Sequence, residues 1–363
     1  MLFILVRIFV FVLDLILVAG TLVSTIRNFV LPRSAPDKLT RIVFHTMRFL
    51  FNLRLRWTST YKERDRVMAY FAPFGLLALP VVWLTSVLVG YMCMYWALQN
   101  LSVETAFKVS GSSLFTLGFA ILDDLPTTLL VFTEAAIGLF LVALLIAYLP
   151  TMYAAFSRRE AAVTMLEVRA GSPPSAVEMF KRYHRIHGLD KLSLLWETWE
   201  VWFADLEESH TSLAALAFFR SPQPHRSWIT AAGTILDAAS LASSTIDIPR
   251  DPQADLCIRA GFLALRYISD FFSIQYDPHP RPTDPISISR EEFEAACDEL
   301  ANAGVPLKPD RDQSWRDFAG WRVNYDAVLL ALANLTMAPE APWSSDRAMK
   351  TRLLPFSDQG TNR

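Results

Sequence analysis

Residues 102–126, SVETAFKVSGSSLFTLGFAILDDLP, decide how the chain folds. The stretch is too apolar for a solvated loop and too short to cross a bilayer and return, since one crossing takes roughly 20 helical residues. Ser102 can cap a helix whose first turn holds Glu104, where a carboxylate meets the partial positive charge of the helix start. That helix should last until about Ser113. Beyond it, Thr116-Leu117-Gly118-Phe119-Ala120 has no helical pattern. Irregular backbone at membrane depth is tolerated only where protein buries it or where it lines a path for water or ions. The stretch therefore reads as a re-entrant segment, if spans flank it.

Apolar runs do flank it. Phe71 to Val103 carries no charge and Thr127 to Leu149 only Glu134, while an earlier run, Ile8 to Ile26, carries only Asp14. Each can span a hydrocarbon core of about 30 Å. These runs account for a hydrophobic content of 52% that is high for a soluble protein. Pro73, Pro80, Gly138 and Pro150 are bending points within the second and third runs, and Tyr91, Tyr95 and Trp96 suit a headgroup boundary.

The placement of cations sets an expected orientation. Arg27, Arg33, Lys38, Arg41, Arg48, Arg54, Arg56, Lys62, Arg64 and Arg66 lie between the first two runs, against Asp37, Glu63 and Asp65 alone. Lys108 is the only cation between the second and third runs, and Arg158 and Arg159 follow the third. Basic loops stay cytosolic, so residues 98–126 should lie outside and everything after 157 inside, in a plasma membrane. Arg7 lies inside the apolar stretch of residues 1–26 and no Ala-x-Ala follows, which argues for a span rather than a cleaved signal. Arg7 is expected at the interface and Asp14 bonded to a neighbouring helix. Asp37 to Arg56 alternates basic and bulky apolar residues, as in a helix lying on the bilayer or, alternatively, one packed on a soluble domain.

The expected fold is thus an all-α membrane protein. Residues 1–30 form an N-terminal transmembrane helix, 31–69 a basic juxtamembrane helix, and 70–157 a module of span, re-entrant helix, loop and span. An all-helical cytosolic domain over 158–276 follows, with helices expected over 158–169, 174–187, 192–219, 227–246 and 254–274. A Pro-rich linker, DPHPRPTDP, and a C-terminal helical pair occupy 277–338, and 339–363 is expected to be disordered. Ser289 and Glu292 predict a capping box that Gly304 can close, and Asp312 should start a helix reaching Met337.

Span, short helix, Thr-x-Gly-aromatic, acidic residues and span, in that order over residues 70–157, resemble the pore module of the potassium channel superfamily, whose filter is typically Thr-Val-Gly-Tyr-Gly. The resemblance implies a homotetramer in which four loops ring an axis and their carbonyl oxygens replace the water around K+ or another monovalent cation. Thr116 would then supply the innermost sites and Leu117, Gly118 and Phe119 successive ones, with the Phe119 ring bracing the loop sideways. Two departures stand out. Ala120 replaces the second glycine, which would cost about 1 kcal/mol in a left-handed backbone, and Ile121 and Leu122 displace the family's aspartate. The outermost site is therefore expected to be distorted.

Asp123 and Asp124 would concentrate cations at an outer mouth, or simply cap the third span. Glu134 would either brace the short helix through Ser110, Ser112 or Ser113, or meet the ion directly. Gly138 is either a gating hinge or a small residue for close packing. The rival to conduction is a membrane-anchored signalling or scaffold protein that keeps the pore fold.

Little else in the sequence suggests chemistry. Thirteen glycines include no GxGxxG and no phosphate-binding loop, and no nucleic-acid partner is expected. No voltage-sensor helix is present. His184 and His187 lack a carboxylate motif, Cys93, Cys257 and Cys297 are far apart, and Trp196, Trp199 and Phe203 form the core stripe of a helix. An enzyme is not expected, nor a cofactor beyond the permeant ion. The partners expected are the bilayer, further copies of the chain and an unidentified cytosolic ligand or protein.

Overall fold

The computed structural model of the chain describes residues 2–29, 38–58, 60–120 and 124–348. The described residues are helical throughout apart from turns and one isolated bridge, Ile246 to Leu307. They fall into two compact units, 1–155 with 212–219, and 156–211 with 220–363.

The first unit contains α1 (Leu2–Phe29), α2 (Lys38–Leu55), α3 (Tyr61–Met68), α4 (Phe71–Gln99), α5 (Val103–Leu114) and most of α6 (Leu125–Ala170). Three helical segments, Leu2–Phe29, Tyr61–Gln99 and Leu125–Ala170, are long and apolar enough to cross a membrane. The packing of the first of these, α1, is inverted relative to a water-soluble bundle. The buried face of α1 is Asp14, Val18, Thr21, Ser24 and Thr25, whereas Phe3, Ile4, Phe9, Leu13 and Ile16 point away from the protein. Lipid tails are as apolar as leucine, so small and polar residues that pack and hydrogen-bond gain most from an interhelical contact.

Helices α1 and α4 run antiparallel. The Arg7 guanidinium donates to the carbonyls of Ala97 (2.5 Å) and Leu98 in the last turn of α4, where the helix dipole favours a cation. The Asp14 carboxyl bonds the Cys93 thiol, and Trp83 Nε1 donates to Ser24 Oγ at 3.2 Å. Gly90 permits the approach, because a Cβ there would lie 2.8 Å from Val18. Against the start of α4 lies α2, with Phe44 and Phe51 edge-on to Phe71. Its other face leaves Ile42, Phe49, Leu50 and Leu53 exposed.

The second unit is built around α9 (Trp228–Ser244), of which nearly every residue is buried. A helix that is apolar all round belongs in a core. Around it pack α7 (Ala176–Arg185), α10 (Pro252–Phe271), α12 (Arg311–Arg322) and α13 (Asp326–Thr336), with α11 (Arg290–Asn302) on α7. The aromatic stripe of α8 (Leu192–Ser212) is core, Trp196, Trp199, Trp202 and Phe203 all being buried.

Several expected boundaries move. The residues after the Pro-rich linker are not a separate pair, because α12 and α13 both pack on α9. The long helix expected from Asp312 breaks at Val323–Tyr325, where the Asn324 side chain donates to the carbonyls of Gly320 and Trp321 and competes with the helical backbone. Helix α8 stops at Ser212 and a 3-10 turn, Ala214–Phe218, follows. Residues 339–348, expected to be disordered, are ordered: Ala341 is buried and the Trp343 carbonyl accepts from Arg322 at 2.6 Å. The remainder of that tail lies outside the described residues. Ser289 and Glu292 form a reciprocal capping box, and Gly304 follows the helix at φ +82°.

Candidate functional site

The segment 102–120 is anchored from its first residue. Ser102 Oγ accepts from the Thr105 amide at 3.1 Å and starts α5, and Glu104 pairs with Lys108 one turn on at 2.6 Å. Ser110 Oγ, buried, donates to the Leu88 carbonyl of α4 at 2.9 Å.

From Phe115 the chain turns back on α5, and six consecutive amides face the helix. Phe115 N bonds the Gly111 carbonyl, Thr116 N that of Ser113, and Leu117 N and Gly118 N both bond that of Ser112. Phe119 N and Ala120 N donate to the Ser112 hydroxyl at 3.0 and 3.1 Å. The carbonyls of Gly111, Ser112 and Ser113 near the end of α5 are thereby satisfied. The consequence falls on the other edge of the loop: the carbonyl oxygens of Thr116, Leu117, Gly118 and Phe119 meet no donor among the described residues. These four residues are exposed in the single chain, Leu117 at 63% and Phe119 at 65%.

Two residues of the loop are left-handed, Thr116 at φ +54° and Gly118 at φ +72°. Ala120 is not. The strain expected at Ala120 is therefore absent, and its methyl packs against the apolar cluster of the first unit. Thr116 bears the strain instead, its hydroxyl bonding the Phe115 carbonyl at 2.7 Å. The Phe119 ring makes no sideways brace within its own chain.

Behind the loop sit Glu134 and Gly138 of α6. Glu134 is fully buried, accepting from Tyr95 Oη at 2.9 Å, with Ser110 Oγ 2.5 Å from its other oxygen, so the one Ser110 hydroxyl proton is shared between this carboxyl and the Leu88 carbonyl. The carboxyl thus joins α4, α5 and α6. Of the three serines that could have met it, Ser110 does so and Ser112 holds the loop. Gly138 faces the Leu114 carbonyl, which a Cβ would approach to 2.0 Å. Tyr95, expected at a headgroup boundary, is buried here instead. Neither Tyr95 nor the loop-holding role of Ser112 was visible in the sequence, although the density of serines in KVSGSS signals polar work inside an apolar region.

Asp124 caps α6. Its carboxylate accepts from the Thr127 amide at 3.2 Å, from the Thr127 hydroxyl and from the Gln99 side chain. The Thr127 hydrogen bond holds this carboxyl below its ordinary value. Asp123 lies outside the described residues. Among the described residues no three His, Cys, Asp or Glu side chains gather as a metal site. The oxygen ligands that the region offers are therefore backbone carbonyls, with one acidic cap nearby.

No known family model, curated protein or solved structure matches the chain.

Proposed function

We propose that the chain is one subunit of a potassium-like cation channel in the plasma membrane. Copies of α4, α5, the 116–120 loop and α6 assemble as a homotetramer, with the second unit in the cytosol. The observation that carries this reading is the division of the loop into an amide edge bonded to α5 and a carbonyl edge that meets no donor among the described residues. Backbone oxygens left unpaired in an apolar setting are costly. Repeated around an axis, they are ligands for a cation that has shed its water.

The rest of the site supports the same reading. Ser112 fixes the loop, and Glu134 with Gly138 fixes α5 against α4 and α6, so the oxygens are held before an ion arrives. Exposed Leu117 and Phe119 offer apolar surface for neighbouring subunits. Asp124, with Asp123 next to it in the sequence, puts acidic charge near the loop, where it raises the local concentration of cations.

Purified protein in liposomes with opposed sodium and potassium gradients tests the proposal. Cation flux is expected in the wild type and none in Gly118→Asp, and the reversal potential reports the selectivity. Absence of flux from correctly inserted tetramers would leave the chain as a membrane-anchored scaffold.

A further inference from the structure

The second unit encloses a cavity of about 310 Å³ between α7, α9, α11 and the segment at Trp343. At its wall is Asp237, 1% exposed. One oxygen, Oδ1, accepts from Arg322 Nη1 and from Tyr325 Oη (2.9 Å). The other, Oδ2, takes no donor from the described residues.

The charge around it does not balance. Arg322 is a single cation shared between Asp237 and Asp326, with Nε donating to Asp326 at 2.7 Å. Asp326 is otherwise satisfied by the Ser287 amide and hydroxyl. The two other acids of the wall are already paired, Glu292 with Arg347 and Glu299 with Lys181. A buried surplus of one negative charge on a carboxyl at a cavity wall is relieved either by a proton or by a bound cation. Burial also pushes the Asp237 carboxyl up, against the pull of Arg322.

The same cavity offers the opposite polarity a short way off. Ser175 caps α7, and its hydroxyl takes the Glu178 amide. The amides of Ala176 and Val177, which also line the cavity, donate to no acceptor of the described residues. Free amides at a helix start, with the dipole behind them, bind a carboxylate. The remaining wall, with Ala295, Ala296 and Trp343, is mainly apolar.

We propose that this cavity binds a small zwitterion of the α-amino acid class, its ammonium on Asp237 Oδ2 and its carboxylate on the Ala176 and Val177 amides. The site stands independently of ion conduction.

Full-length protein in detergent, titrated with single L-amino acids and followed by thermal unfolding and calorimetry, tests it. The probes of charge are the matching alkyl amines and carboxylic acids, each lacking one pole. At least one amino acid should raise the unfolding temperature and bind saturably, at least about tenfold more tightly than its amine or its acid. Asp237→Asn should abolish binding. Because that change also touches Arg322, Ala176→Pro is the second variant. It removes one amide at the first helical position, where proline is accommodated, after a Ser175 already extended at φ −140° and ψ 135°. A normally folded Ala176→Pro protein should bind about tenfold more weakly. The proposal is overturned if no amino acid binds, if the amine binds as well as the amino acid, or if the folded proline variant keeps wild-type affinity.

Discussion

Gly138, in the first third of α6, sits against the carbonyl oxygen of Leu114, the last residue of α5, with no room for a side chain: a Cβ would lie 2.0 Å from that oxygen. Close packing is thus the role the geometry gives this glycine. Backbone on one side and backbone on the other leave nothing flexible to move aside.

Gly138→Ala should therefore displace α5. Overpacking of this kind costs about 1–3 kcal/mol, seen as a lower unfolding temperature in detergent, and flux should fall with it. Gly20→Ala is the matched control, since nothing lies within 4 Å of a Cβ there. In a helix that change should be neutral or stabilising, by up to about 1 kcal/mol.

Ser112→Ala removes the acceptor of the Phe119 and Ala120 amides. Each orphaned amide costs about 1–3 kcal/mol if water cannot reach it. Flux should be lost while the protein still assembles, as judged by gel filtration. Ala120→Gly, by contrast, should give no gain in conduction or stability, because Ala120 has no left-handed strain to relieve.

Glu134→Leu removes the acceptor of the Tyr95 hydroxyl, leaving it the hydrogen bond with Ser113, and takes away one of the two oxygens that Ser110 faces. The expected loss is about 1–3 kcal/mol in thermal unfolding. Glu134→Gln keeps an oxygen at the junction and should recover most of that stability. Equal loss in both variants would show that the charge, rather than the hydrogen bonds, is what matters.

In the second unit His210 is fully buried, its Nε2 facing Arg159 Nη1 at 3.2 Å and its Nδ1 lying 3.0 Å from the Leu206 carbonyl. The proton of the neutral ring is thus assigned to Nδ1. Burial, and then the Arg159 charge, hold His210 well below its ordinary value of 6.5. The depressed value fixes the sign: the unfolded chain takes up the proton first. The neutral ring's contribution is complete above pH 6.5 and declines as pH falls further. Unfolding temperature should drop below that pH, and His210→Leu should flatten the slope.

Among the described residues, Arg322 is the only cation bonded to Asp237 and Asp326. Arg322→Met leaves two buried carboxylates without it, a loss of about 3–5 kcal/mol. Limited proteolysis should then open the unit around α9 and α12.

The linear order of residues was enough for the three apolar helices, the short helix that begins at Ser102, the capping box at Ser289 and the bonding of Asp14 to a neighbouring helix. Each is a local matter, set by hydrophobic run length, cap chemistry or the intolerance of an apolar setting for a lone charge. Folding in three dimensions decided the rest. It chose Ser110 over Ser112 and Ser113 for Glu134, moved the strain from Ala120 to Thr116, broke the helix at Asn324 and drew residues 339–348 into the core. It also turned six amides of residues 115–120 onto α5, leaving the carbonyls of Thr116 to Phe119 without a donor among the described residues. These outcomes depend on which partners lie within about 3 Å, and helical spacing alone cannot specify a contact made between residues tens of positions apart.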